Sequence, residues 1–156
     1  MTPSVAISRR SPALARALKL YVVLVRATTA VNRRVEDEIR GHDLTATEFG
    51  ILEALYHKGP LLLGDLQKKI LLSSGGVTYT VDRLAEKGLV ERRECESDRR
   101  ARYAALTPKG EAVIARIFPD HAGRIDDALS VLTAREQEEL TVLLKKLGLS
   151  AGAEAD

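Results

Sequence analysis

The 156-residue chain has no tryptophan, two phenylalanines, one methionine and one cysteine. A lone thiol, Cys95, cannot form an internal disulfide, and this usage fits a reducing, cytoplasmic setting. A domain of this size buries roughly 70% of its extended-chain surface, so it needs no cross-links. No apolar run approaches the roughly 18 residues that would mark a membrane span. Arg9 and Arg10 are not followed by the apolar core of a signal peptide. With so few aromatic residues, the core must be built from Leu, Val, Ile and Ala, as in packed helices. Charge of one sign is also scarce. There are 24 Lys/Arg against 22 Asp/Glu, a net charge of +2, too little for a dedicated nonspecific polyanion binder. The positive excess lies before residue 111 and the acidic excess after it. That division suits a site-specific binder with local arginine clusters, two copies of which act together. Catalytic constellations are missing as well: no paired carboxylates, no Ser-His-Asp set, no phosphate-cradling glycine loop. Gly75-Gly76 is too short for the last of these. His42, His57 and His121 never fall at i, i+3 or i+4, so neither a metal site nor a cofactor is expected, and an enzyme is not.

What is present is an ordered series of helix signals. Ser11-Pro12 is a cap followed by proline at the first helical position. Beyond it, Leu14, Leu18, Tyr21, Val25, Thr28, Asn32, Val35 and Ile39 recur at alternating spacings of four and three. A helix this apolar on more than one side packs against two surfaces, its own domain and a partner subunit. Thr45-Ala46-Thr47-Glu48 is a capping box, with Leu44 and Phe49 as its hydrophobic staple. The second helix then runs to His57 and stops at Gly59-Pro60. A shorter helix is expected over about 64–71. Residues 73–93, SSGGVTYTVDRLAEKGLVERR, open on a serine cap and end their helix at Gly88. Val77, Val81 and Leu84 form one inward stripe of it. Its other face is slim at the start, polar in the middle and cationic further on. A helix entering the major groove needs that order, because its first turn meets the base edges. A two-stranded hairpin follows, opening at Leu89-Val90 and returning over Arg102–Leu106, with Arg92, Arg93, Arg99, Arg100 and Arg102 along it. Thr107-Pro108 starts a long helix to about Val131, and Pro119 within it predicts a kink or break near Phe118. Thr133-Ala134-Arg135-Glu136 is a second capping box. The final helix is expected to bury Leu140, Leu143, Leu144 and Leu147 and to end at Gly148.

The fold expected is mainly α, of the α+β type: six helices with a winged helix-turn-helix and long dimerisation helices at both ends. Residues 1–12 form a disordered arm, 13–40 a dimerisation helix, 41–107 the DNA-binding domain, 108–148 the C-terminal helices and 149–156 a disordered tail. The stretch from Leu44 to Gly110 and its flanking helices resemble the MarR family of bacterial transcriptional regulators. The specific pieces are VDRLAEKGLVERR and SDRRARYAALTPKG. Residues 55–83, LYHKGPLLLGDLQKKILLSSGGVTYTVDR, look most like the branch that responds to quinones and phenolic compounds. The resemblance implies an obligate homodimer joined through the first and last helices. It also implies a pseudo-palindromic operator and repression relieved by a small molecule or an oxidant. In such a dimer two reading helices roughly 34 Å apart enter successive major grooves.

Ser73, Ser74, Gly75 and Thr78 are then the candidates for the groove floor and nearby phosphates, aided by free amides at the helix N-terminus. Tyr79 stacks or reaches a phosphate, and Arg83 meets the backbone or a guanine edge. Asp82 accepts from a cytosine amino group or holds an arginine in place. By the resemblance, Asp98 braces Arg100 for insertion into the minor groove. Arg92, Arg93, Arg99 and Arg102 meet phosphates or support the wing. Thr28 and Asn32, which interrupt an apolar stripe, either line an effector cavity or fix dimer register. Tyr21, Phe49, Tyr56 and Phe118 could wall a phenolic pocket or be ordinary core. Cys95 lies between Glu94 and Glu96, which would raise a thiol pKa while Arg93 opposes them, so a redox role competes with a plain wing thiol. Two further readings compete with a ligand-controlled regulator: a winged helix used only for protein assembly, and a DNA binder without ligand control.

Overall fold

The computed structural model describes residues 11–70, 74–94, 98 and 101–152. Helix α1 spans Pro12–Arg40, and Ser11 Oγ accepts from Leu14 N at its start. Helix α2 covers Ala46–Lys58 behind the expected capping box: Thr45 Oγ1 accepts from Glu48 N at 3.1 Å while Glu48 Oε2 accepts from Thr45 N at 2.9 Å. Strand β1 is Leu61–Leu62, and α3 follows at once as Leu63–Ile70. Helix α4, Ser74–Glu86, is the second helix of the helix-turn-helix. Strands β2 (Val90–Glu94) and β3 (Arg102–Leu106) form the hairpin, α5 is Pro108–Leu129, and α6 is Ala134–Gly152.

Three differences from the sequence expectation have simple causes. The wing sheet has three strands in the order β1-β3-β2, not two. Leu61 and Leu62 pair antiparallel with Ala104 and Tyr103, and two residues are too few to carry an alternation pattern. Of the kink or break expected near Phe118, the break does not occur: α5 runs through Pro119 as one helix. The proline withdraws one amide donor, but packing against α1 and α2 holds the turns on either side. Helix α6 continues to Gly152, past the end expected at Gly148. Glycine weakens a helix interior by only about 1 kcal/mol, which neighbouring turns can bear.

Gly88 ends α4 as expected. It adopts φ 72°, a left-handed conformation that a side chain disfavours. Leu89 N then donates to Leu84 O and Gly88 N to Ala85 O, each at 2.9 Å, the paired bonds of a Schellman stop. Leu84 and Leu89 are both buried there. The core gathers beneath α4 and the sheet: Phe49, Ile51, Leu52, Leu66, Val77, Val81, Leu84, Ile114 and Ile117 are fully enclosed. The stripe read from α4 therefore faces inward.

The terminal helices behave otherwise. Leu14, Leu18, Tyr21 and Val25 of α1 are exposed in the single chain, and so are Leu140, Leu143, Leu144 and Leu147 of α6. The expected burial of the α6 leucines is not supplied by this chain's own fold. No described helix is long and apolar enough to cross a membrane.

Candidate nucleic-acid interface

Because Val77, Thr80, Val81 and Leu84 point into the core, the rest of α4 is committed to the outside. Gly75, Thr78, Tyr79, Asp82 and Arg83 all lie on that outer face. Tyr79 is 67% exposed, a large ring turned mostly outward. Thr80 turns inward and satisfies its hydroxyl on Gly76 O at 2.8 Å. At Gly75 a Cβ would meet nothing within 4 Å. Packing does not call for glycine there; its effect is to keep the backbone of the first turn open to an approaching surface. Ser74 is the first residue of the helix. Ser73, Arg99, Arg100 and Cys95 lie outside the described residues. Asp98 is exposed at the end of the hairpin.

The cations are not all free to meet an anion. Arg92 Nη2 donates to Asp82 Oδ1 at 2.6 Å, tying β2 to the outer face of α4. Arg92 is the more enclosed partner, 29% exposed against 56% for Asp82. Of the two roles open to Asp82, holding an arginine is the one this geometry realises. Arg93 pairs with Glu91 at 2.7 Å within the strand. Arg83 approaches Glu86 at 3.6 Å but is half exposed, so it remains available. Arg102 opens β3 on the exposed side. The arginines thus divide into one that braces the wing against the helix and others that look outward.

The candidate effector residues divide too. Tyr21, Thr28 and Asn32 are exposed on α1. Phe49, Tyr56 and Phe118 belong to an aromatic seam between α2 and α5 that includes two histidines. His121 lies against Phe49 with ring centroids 4.2 Å apart. His57 meets Phe118 at 4.7 Å and Tyr56 at 5.3 Å, and Tyr56 reaches Phe118 at 6.2 Å. His121 is 5% exposed, and its Nδ1 finds no hydrogen-bond partner among the described residues. Spacing along the chain makes these histidines look isolated. A usable signal exists in the positions of Phe118 and His121, three residues apart on one helix face. Next along α5, Arg124 Nε sits 2.9 Å from the largely buried carboxylate of Glu38, joining α5 to α1.

A helix-turn-helix with a slim, outward-facing second helix and a braced wing defines a DNA-binding protein. The chain belongs to the MarR family of transcriptional regulators, which are not enzymes. The MarR family description matches residues 42–101. Along 136 residues it is 46% identical to the HTH-type transcriptional regulator MhqR of Bacillus subtilis strain 168, covering 87% of this chain and 94% of that one. Among solved structures it is similar to a mutant MarR from E. coli complexed with operator DNA. That match has TM-score 0.76 and 26% identity, over 85% of this chain and 95% of the other. BpsR of Bordetella bronchiseptica, whose DNA binding is regulated by 6-hydroxynicotinic acid, matches with TM-score 0.74 and 27% identity. It covers 83% of this chain and 98% of that one.

Proposed function

We propose that this regulator is a cytoplasmic homodimeric repressor that reads a pseudo-palindromic operator and is released by a hydroxylated or quinonoid aromatic ligand. The observation that carries the dimer is the pair of uncovered apolar faces on α1 and α6. Leu14, Leu18, Tyr21 and Val25 on one, and the four α6 leucines on the other, are each more than a third exposed. Apolar faces of that kind are unfavourable in water unless a partner covers them. A second copy related by a two-fold axis covers like with like. The same axis sets two α4 helices on one side of a duplex, where Ser73, Ser74, Gly75, Thr78, Tyr79 and Arg83 meet the major groove. Arg100, braced by Asp98, enters the minor groove beside it.

The aromatic seam supports the ligand. A planar phenol or quinone stacks on rings such as Tyr56 and Phe118. It also offers an oxygen to a buried polar atom whose burial is otherwise costly. His121 Nδ1 is such an atom, and it sits on the helix that α1 grips through Glu38. Regulation of BpsR by a hydroxylated aromatic acid agrees with this choice.

The test has two parts. Sedimentation of the purified protein should give a dimer, and Leu143→Glu with Leu144→Glu should give folded monomer that no longer retains the fragment selected from host genomic DNA. A thermal-shift panel of salicylate, catechol and hydroquinones should raise the melting temperature of the wild type. A monomeric wild type, or a panel without a single shift, sinks the corresponding half.

A further inference from the structure

Apolar packing holds α4 against the body through Val77, Val81 and Leu84. Such contacts set how deep a helix sits, but they are not directional. Along the edge of α4 that faces the α1–α2 turn the packing is incomplete. A cleft of about 340 Å³ lies there, with Arg40, Leu44, Thr80 and Arg83 on its walls. Something else must fix the rotation of the helix at that edge.

Lys87 spans it. This residue caps the C-terminus of α4, immediately before the left-handed Gly88. Its Nζ donates to Glu48 Oε2 at 2.9 Å and to Asp43 O at 2.6 Å. Glu48 is buried and belongs to the capping box of α2, where the same Oε2 also accepts from Thr45 N. Asp43 holds φ 58°, a conformation few non-glycine residues adopt, and its carbonyl meets the ammonium. On the other side, Lys109 Nζ of α5 donates to Lys87 O at 2.9 Å. One residue therefore joins the end of the reading helix to the α1–α2 turn, the start of α2 and the start of α5.

We propose that Lys87 is a positioning residue for operator recognition: it orients α4 through Glu48 and Asp43 without touching DNA. Charge-assisted bonds of this kind are short and directional. The lever is long. Helix α4 has 13 residues, so it measures about 20 Å, and a swing of about 10° at the Lys87 end moves the first turn by about 3 Å. That displacement exceeds the tolerance of a hydrogen bond to a base edge.

The experiment compares wild type, Lys87→Met, Lys87→Arg and Glu48→Gln as full-length protein on a duplex fragment selected from host genomic DNA and on random competitor, across a salt series. Melting curves first confirm that each is folded at the assay temperature. Lys87→Met should lose about tenfold or more in preference for the selected fragment, which is about 1.4 kcal/mol. Its binding to random duplex and its salt slope should match wild type. Lys87→Arg, which can still reach Glu48, should recover most of the preference. A direct phosphate contact would instead weaken binding to both duplexes and lower the salt slope by about one, and that result overturns the proposal. So does an unchanged preference. If Lys87→Met proves unfolded, because it leaves Glu48 buried without its counter-charge, the same comparison rests on Glu48→Gln. That variant keeps an acceptor for Thr45, and it should lose several-fold in preference with an unchanged slope. Full retention by Glu48→Gln overturns the idea equally.

Discussion

Replacing Gly110 with alanine should damage this protein severely, because among the described glycines its Cβ would meet the closest backbone atoms. Gly110 lies in the first turn of α5, where a Cβ would stand 1.9 Å from Leu89 O and 2.8 Å from Leu89 C. The atoms met are backbone, not the end of a flexible side chain, so the two elements must part by more than an ångström. Three hydrogen bonds converge on that junction. Thr107 N donates to Leu89 O at 3.1 Å, Thr107 Oγ1 donates to Gly88 O at 2.6 Å, and the same Oγ1 accepts from Gly110 N at 3.0 Å. Losing two of these costs about 2 kcal/mol, and the steric strain adds about 1–3 kcal/mol. The sum, about 3–5 kcal/mol, is a large part of the stability of an ordinary domain. At about 2–4 °C per kcal/mol it lowers the melting temperature by roughly 6–20 °C. The measurement is chemical and thermal unfolding followed by circular dichroism at one fixed protein concentration. Gly123→Ala is the control, since it lies on the same helix with nothing within 4 Å of its Cβ, and it should gain about 0.5–1 kcal/mol. Gly110→Ala within about 1 kcal/mol of wild type would show that the wing and α5 can separate without cost, and the reasoning would be wrong.

The Asp82–Arg92 bridge should appear as coupling of about 0.5–2 kcal/mol in a stability cycle of Asp82→Asn and Arg92→Gln. Additive effects there would mean that the two act separately. His121→Phe keeps a ring against Phe49 but removes Nδ1. It should retain the selected fragment yet lose any thermal shift from a phenolic ligand, and an intact shift eliminates His121 as the anchor. Hydrogen bonds from the backbone and then the side chain of Thr133 hold the exposed Glu136 carboxyl below its ordinary pKa. A carboxylate so depressed contributes stability above the unfolded pKa and loses it as pH falls through the folded value. Melting temperature against pH should therefore fall less on acidification in Glu136→Gln than in wild type. Parallel curves would exclude the cap as a contributor.

Most of the architecture can be read from the chain because its signals are local. The two capping boxes, the Ser-Pro and Thr-Pro starts and the Gly88 stop each concern groups within five residues of one another, and each forms as read. What escapes a reading of the chain depends on partners far along it. Strand β1 exists only because β3 passes beside it about forty residues later. Lys87 reads as one more surface lysine until α2 brings Glu48 to it, 39 positions away. His121 reads as a stray histidine until Phe49 arrives against its ring. The α6 leucines fail in the opposite sense. Their spacing marks one apolar face, but no period along a chain says whether its own fold covers that face, and in the single chain it stays exposed. The same limit applies to Arg92 and Asp82, which the sequence places among the outward-facing residues. Arginine beside a reading helix looks alike whether it meets phosphate or a carboxylate ten residues away. In this fold local signals place α4, and the pairs Lys87–Glu48 and Arg92–Asp82 tie it to elements far along the chain.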